Sequence, residues 1–301
     1  MTSLYLAGGI SMHHAPIMIG AGACKTPHTT REWLAVAPVV SGSYTPKSRS
    51  GNSGNRLFYP DTLAQLDEAG FGLNSFGMPN VGFSIAAHEL ARREGEHPLI
   101  VSIAGFSIQD YVDGVALFET VWGVQAIECN FGCPNTEHGR IMSFDLHSLD
   151  TLLQRLRAYV RKPLWAKFSP YSDPGLLKEV AAIVTAAASI KAVVTCNTFP
   201  NAYAGRDTIS PMKGLAGLSG PALKPIALGQ VIQFRRELPD TIDVIGVGGI
   251  TTGDDAMDFL GAGANAVQLT SLPFWLGSPR RFWETLLDPT TGARLVTYLH
   301  D

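Results

Sequence analysis

Apolar positions along this chain fall into short, β-branched runs: 16–20 (PIMIG), 36–42 (VAPVVSG), 99–105 (LIVSIAG), 126–132 (AIECNFG), 163–168 (PLWAKF), 192–197 (AVVTCN), 243–249 (DVIGVGG) and 266–270 (AVQLT). Several are continuous rather than alternating, the pattern of strands buried on both faces of a parallel sheet. Segments with helical spacing lie between them, at 107–123, 145–161, 174–188, 224–238 and 254–262. In the second of these, Leu146, Leu149, Leu152, Leu153 and Leu156 share one face. Eight strands alternating with helices fit a closed (β/α)8 TIM barrel of the α/β class better than an open doubly wound sheet. No Gly-x-Gly-x-x-Gly follows the first strand, which argues further against a Rossmann arrangement. Ser41 to Pro60, dense in Ser, Gly, Asn, Lys and Arg, reads as an active-site loop excursion after strand two, with a ninth strand-like piece at 72–76. No linker or repeat interrupts the pattern, so residues 1–301 are expected to form one domain.

Composition narrows the function classes. With 23 basic against 26 acidic residues and a net charge of −3, the chain has no electrostatic footprint for nucleic acid, and small molecules are the expected partners. No run approaches the roughly 18 uninterrupted apolar residues of a membrane span, and Met1 to Pro16 lacks a basic region ahead of an apolar run. A cytoplasmic chain without membrane contact is expected. The four cysteines, at 24, 129, 133 and 196, form no Cys-x-x-Cys pair, so they are expected to be reduced, with no metal site.

A barrel carries its chemistry at the carboxyl ends of its strands. In chain order these positions hold Lys47 after strand two, Asn74 in the excursion, Asn130, Cys133 and Asn135 after strand four, Lys167 on strand five and Asn197 on strand six. Each alone has an ordinary role as a turn residue, a solvated charge or a small buried hydrophobe; it is their convergence that points to a ligand. Converging carboxamides suit a ring edge that alternates N–H and C=O, as a pyrimidine does. Nearby lysines suit an anion or a reduced cofactor ring. Gly246-Val247-Gly248-Gly249-Ile250 precedes Thr251, Thr252, Gly253 and a helical run from Asp254, opposite Gln268-Leu269-Thr270-Ser271, and this pair of strand ends fits a phosphate. Flavin enzymes, aldolases and isomerases all share that feature.

With these residues assembled, the chain resembles the dihydroorotate dehydrogenase family, in its class 1, soluble, cysteine-dependent branch. The likeness rests on Glu128-Cys129-Asn130-Phe131-Gly132-Cys133-Pro134-Asn135, similar to the family's N-x-x-C-P-N loop, and on Leu73-Asn74-Ser75-Phe76-Gly77-Met78-Pro79-Asn80. The Gly217-to-Pro225 segment and the Gly248-Gly249-Ile250 turn add to it. The resemblance implies FMN held by Ala21, Gly22, Lys47, Asn130, Lys167, Asn197, Ser219, Gly220, Gly248, Gly249, Thr270 and Ser271. It implies dihydroorotate held by Lys47, Asn74, Asn130, Asn135, Asn197 and Thr198, with Cys133 as the base. A homodimer, and a possible iron–sulfur flavoprotein partner subunit, are implied in the same way. Departures from the pattern touch the site: Gly132 stands where serine is common, Thr270 where glycine is usual, Pro46 directly before Lys47, and Phe199 beside the substrate segment.

The expected reaction is oxidation of dihydroorotate to orotate, the base removing the C5 proton while the C6 hydrogen leaves as hydride to the flavin. The alternatives are a related FMN enzyme acting on another pyrimidine or cyclic amide, a flavin-free phosphate-binding aldolase or isomerase in which Lys167 forms a Schiff base, and a catalytically silent binding protein.

Overall fold

The eight apolar runs each form a strand, and the strands pair in parallel around a closed barrel. The computed structural model describes residues 5–6, 9–12, 16–59, 70–92, 97–132, 141–203, 205, 209 and 211–300. Numbering its strands β1–β14 in chain order, the barrel runs β10 (Ile190–Val194), β13 (Asp243–Val247), β14 (Ala266–Leu269), β3 (Ile17–Ile19), β4 (Val39–Tyr44), β7 (Leu99–Ile103), β8 (Ala126–Asn130) and β9 (Leu164–Lys167), which closes against β10. Every residue of β7, β8, β9, β13 and β14 is buried, which is why these runs read as continuous rather than alternating.

Five of the surrounding helices coincide with the predicted periodic segments: Ile108–Glu119, Leu146–Leu156, Pro174–Ala187, Lys224–Glu237 and Gly253–Gly261. The second buries Leu149, Leu152, Leu153 and Leu156 and starts at Asp145, whose carboxylate accepts the Ser148 N–H. The third opens on Pro174 behind the Asp173 cap and stops at Ala188 in a left-handed conformation. Pro27–Leu34, Phe83–Leu90, Ser271–Leu276, Pro279–Leu286 and Ala293–His300 are further helices that the periodicity did not reveal, each eight residues or fewer.

Above the barrel lies a second, antiparallel sheet in the order β11 (Phe199–Tyr203), β12 (Leu215–Ser219), β6 (Gly72–Asn74) and β5 (Leu57–Phe58). The excursion expected after barrel strand two supplies β5 and β6, and β6 lies within the strand-like piece at 72–76. A second excursion, after barrel strand six, supplies β11 and β12 and was not expected. The sheet has a small apolar cluster of its own, Leu73, Ile209 and Ala216. The remaining pair, β1 (Tyr5–Leu6) and β2 (Ile10–Ser11), forms a two-stranded antiparallel sheet.

The outer helices also fix the loops at the top of the barrel. Gln230, buried on helix Lys224–Glu237, donates to the carbonyls of Ser169 and Thr195 and accepts the Tyr171 N–H at 2.8 Å. One side chain thereby ties the segments following β9 and β10. Beside it Phe234 stacks on Phe168 with centroids 5.9 Å apart.

Candidate active site

Parallel strands in register point matched residues to the same side, so β8 and β9 set Glu128 beside Trp165 and, one step further along, Asn130 beside Lys167. Asn130 and Lys167 are the last residues of their strands, and both reach a cavity of about 1270 Å³, open mouth included. From the barrel, Ala21, Gly22, Asn130, Lys167, Asn197, Gly248, Gly249, Thr270 and Ser271 line it. Thr198, just before β11, and Asn74, Ser219 and Gly220 from the covering sheet and its edge complete the predicted set around the same space. Thirteen positions scattered over two hundred and fifty residues of chain thus converge as the strand-end argument requires.

Cys133 and Asn135 lie outside the described residues. Lys47 is a correction: it is exposed and does not line the cavity. The chain is turned away at Thr45, whose N–H donates to Asn80 Oδ1 at 3.1 Å while Asn80 Nδ2 donates back to the Thr45 hydroxyl at 2.8 Å. Arg49 then bridges to Asn80 and the intervening residues face outward. Besides Lys167, Lys25 reaches the cavity, from the turn after β3, with Nζ 4.5 Å from the centre of the Phe76 ring.

The amides are less free than a simple convergent edge. Asn197 Nδ2 donates to Asn130 Oδ1 at 3.0 Å, and Oδ1 also accepts the Gly132 N–H at 3.2 Å. Asn130 Nδ2 donates to Ser43 Oγ at 2.9 Å, and Asn197 Oδ1 accepts the Thr198 N–H at 2.8 Å. The carbonyl of Asn130 is therefore spent on protein, and what it retains for a ligand is one N–H. The Lys167 side chain, in a residue only 4% exposed, makes no hydrogen bond or ion pair among the described residues. A buried ammonium with no counter-charge of its own calls for an anionic or electron-rich ligand.

At the phosphate-like turn, Gly248 and Gly249 adopt φ of +117° and +77°. A Cβ on Gly249 would lie 2.7 Å from the Lys224 N and 2.8 Å from the Gly220 O. The glycine is thus demanded by the protein's own backbone. The N–H groups of Thr251 and Thr252 do not point to a ligand, because both donate to the Asp255 carboxylate at 2.9 Å. An anion there must be met by the chain at Gly249–Ile250 and by the Thr270–Ser271 end across from it.

The departures at the site now have physical accounts. A Cβ on Gly132 would stand 2.6 Å from the Ser169 N, so a serine there requires the ends of β8 and β9 to move apart. The Thr270 hydroxyl donates to the Ala21 carbonyl at 3.3 Å and fills the space beside Gly20 that a side chain would need. Phe199, 36% exposed on β11, stays out of the cavity. Cys196 does line it, but burial pushes its thiol up to about 12 against a smaller opposing pull from Lys167, so it remains protonated near neutrality. Besides Lys25, the sequence argument missed Ser43; its signal was a polar residue inside the last turn of strand two. Among the described residues no cluster could hold a metal ion, and no helix is long and apolar enough to cross a membrane.

Fold and cavity together define a (β/α)8-barrel enzyme. Residues 10–279 match the family described as Dihydroorotate dehydrogenase. The chain is 33% identical over 271 residues to the catalytic subunit of dihydroorotate dehydrogenase B (NAD(+)) from Listeria welshimeri, covering 87% of this chain and 79% of that protein. It is 34% identical over 279 residues to dihydroorotate dehydrogenase A (fumarate) from Limosilactobacillus reuteri, covering 88% and 85%. Among solved structures, a DHODH from Eimeria tenella in complex with ferulenol superposes with a TM-score of 0.77 at 20% identity, over 94% of this chain and 82% of that one, a likeness of fold. The chain belongs to the dihydroorotate dehydrogenase family.

Proposed function

We propose that this protein oxidises dihydroorotate to orotate with FMN held in the barrel cavity. The observation that carries the reading is Lys167: a buried ammonium with no carboxylate partner among the described residues, lining the barrel cavity. Gln268 agrees with it, since its Oε1 is buried without a partner among the described residues at the same cavity and awaits an N–H donor. The flavin fits these groups: its N3–H would meet the Gln268 carbonyl, electron density on the ring would meet Lys167, and its phosphate would meet Gly249–Ile250 and Thr270–Ser271. When bound, FMN supplies the acceptor for the hydride from C6 of the substrate.

The protein's own residues bind, orient and deprotonate. Asn74, Asn130, Asn197 and Thr198 hold the pyrimidine, Asn130 as a donor. Lys25 takes the place first given to Lys47 and meets the substrate carboxylate at the cavity mouth. Cys133, in the N-x-x-C-P-N motif, removes the C5 proton. Cys196, at the same cavity, does not compete for that role because burial holds it as a thiol.

Heat-released cofactor should co-elute with FMN, and anaerobic dihydroorotate should bleach the bound flavin. In Cys133→Ala the flavin should stay bound and orotate should still perturb its spectrum, while bleaching slows by roughly 10²–10⁴-fold. Bleaching within a few-fold of wild type would remove Cys133 from the role. A wild-type flavin spectrum indifferent to dihydroorotate and orotate would point to a different cyclic substrate.

A further inference from the structure

Glu128 sits at the centre of the barrel with no exposure, on the strand that ends in Asn130, and no cation pairs with it among the described residues. Its two oxygens serve two different arms. Oε1 accepts the Ser102 hydroxyl at 2.9 Å, and Oε2 accepts Nε2 of Gln268 at 2.9 Å. A carboxylate offers acceptors only, so both neighbours must donate to it. For Gln268 this decides which end of the amide is turned outward. Nε2 is bound to Glu128, and Oε1 is left at the cavity with no partner among the described residues.

The other arm transmits the same constraint over a longer path. Ser102, having given its only proton to Glu128, can only accept from Ser43, whose oxygen is 2.9 Å away. Ser43, having given its proton to Ser102, can only accept from Asn130 Nδ2. Asn130 is thereby turned with Oδ1 toward Asn197 and the Gly132 N–H, and its second Nδ2 proton toward the cavity. We infer that Glu128 is a positioning residue whose two oxygens set the hydrogen-bond polarity of both walls of the ligand cavity: an acceptor at Gln268 and a donor at Asn130. The inference rests on the flavin and pyrimidine reading above, which supplies ligands with one N–H for the first wall and one C=O for the second.

Glu128→Gln keeps size and shape but introduces a donor where only acceptors stood. Either Gln268 or the Ser102–Ser43–Asn130 arm must then invert and face the ligand with the wrong group. Three proteins separate the outcomes: Glu128→Gln, the exchange Glu128→Gln/Gln268→Glu, and Ser102→Ala, which cuts the Asn130 arm at a residue that does not line the cavity. Flavin affinity is read by fluorescence on adding FMN to flavin-stripped protein, and orotate affinity by the change in flavin absorbance. Glu128→Gln should lose about 10- to 100-fold in one or both affinities. The exchange should recover most of that loss, since the donor now on residue 128 points to an acceptor on residue 268, which still offers an oxygen outward. Ser102→Ala should bind FMN as wild type does and orotate about tenfold more weakly.

Wild-type affinities in Glu128→Gln would overturn the inference. So would losses in all three variants that track the melting temperature of the flavin-free proteins, since a purely structural carboxylate predicts that outcome. If Glu128→Gln does not fold, Ser102→Ala decides, equal orotate affinity refuting the role and a selective loss supporting it. Failure of the wild-type protein to bind FMN would instead refute the cofactor reading.

Discussion

The barrel wall and the sheet that covers its mouth are built on opposite principles. The wall is eight parallel strands whose residues are almost all buried, tied to one large apolar core. The covering sheet is four short antiparallel strands from two separate excursions, resting on three buried apolar residues, with Phe199, Tyr203 and Leu215 substantially exposed. The wall places the charged and polarised groups, Lys167, Asn130 and Gln268, on strand ends that cannot shift without disturbing the core. The sheet brings Asn74 and Ser219 over the top with far less packing behind them. Fixed chemistry below and a lightly packed roof above is a workable division for the cofactor and substrate site proposed above.

That contrast can be tested by breaking each part. Phe234→Ala, in the aromatic stack behind β9, should cost roughly 3–5 kcal/mol in chemical denaturation, whereas Leu73→Ala in the roof should fall near the lower end of the roughly 2–5 kcal/mol range and weaken orotate binding more than it lowers the unfolding midpoint. Lys167→Met should lower FMN affinity by about 100-fold, measured by titration of flavin-stripped protein, because it removes the buried charge the ligand answers. Lys25→Met, at the mouth, should leave flavin content intact and weaken orotate by about tenfold.

The smallest effect belongs to the wall's outer surface. Lys224 bridges Asp255 and Asp258 at 2.5 and 2.6 Å, and Asp255 also caps helix Gly253–Gly261. Burial opposes ionisation of Asp255, yet the hydrogen bonds from Lys224 and Thr251 outweigh it and hold the carboxyl below its usual range. A depressed folded value stabilises above the unfolded pKa, roughly 4, and is lost as pH falls through the folded one. Asp255→Asn should therefore lower the melting temperature by about 2 °C at pH 7, and the difference from wild type should shrink as the pH falls below the ordinary carboxylate range.

The same contrast governs what was legible in the amino-acid sequence. β7 and β13 announce themselves because every residue is buried and apolar side chains run on without interruption. β11 and β12 do not: Pro200 and Gly217 interrupt them, and their exposed aromatics obey no core face. The pairing of β12 with β6 is set by contacts across more than a hundred residues of chain, which no local pattern records. At the site, glycines, amides and Lys167 were readable because strand ends are fixed by the strands. Lys47 was misplaced because the Thr45–Asn80 clamp, a contact between distant segments, decides where the chain leaves the barrel. Glu128 was visible as a lone charge in an apolar run, but its consequence depends on Ser102 and Gln268, brought to it only by barrel closure.

Gln230 carries a consequence for how such a barrel can change over evolutionary time. Strand-end loops of this fold are commonly regarded as modules that can be exchanged one at a time. Here a single carboxamide from an outer helix stitches two neighbouring loops together, and those loops follow the strands bearing Lys167 and the approach to Asn197. Replacing either loop alone would strand the amide and release the other. In this protein an exchange of either loop therefore has to carry the other loop, and the helix that fastens both, with it.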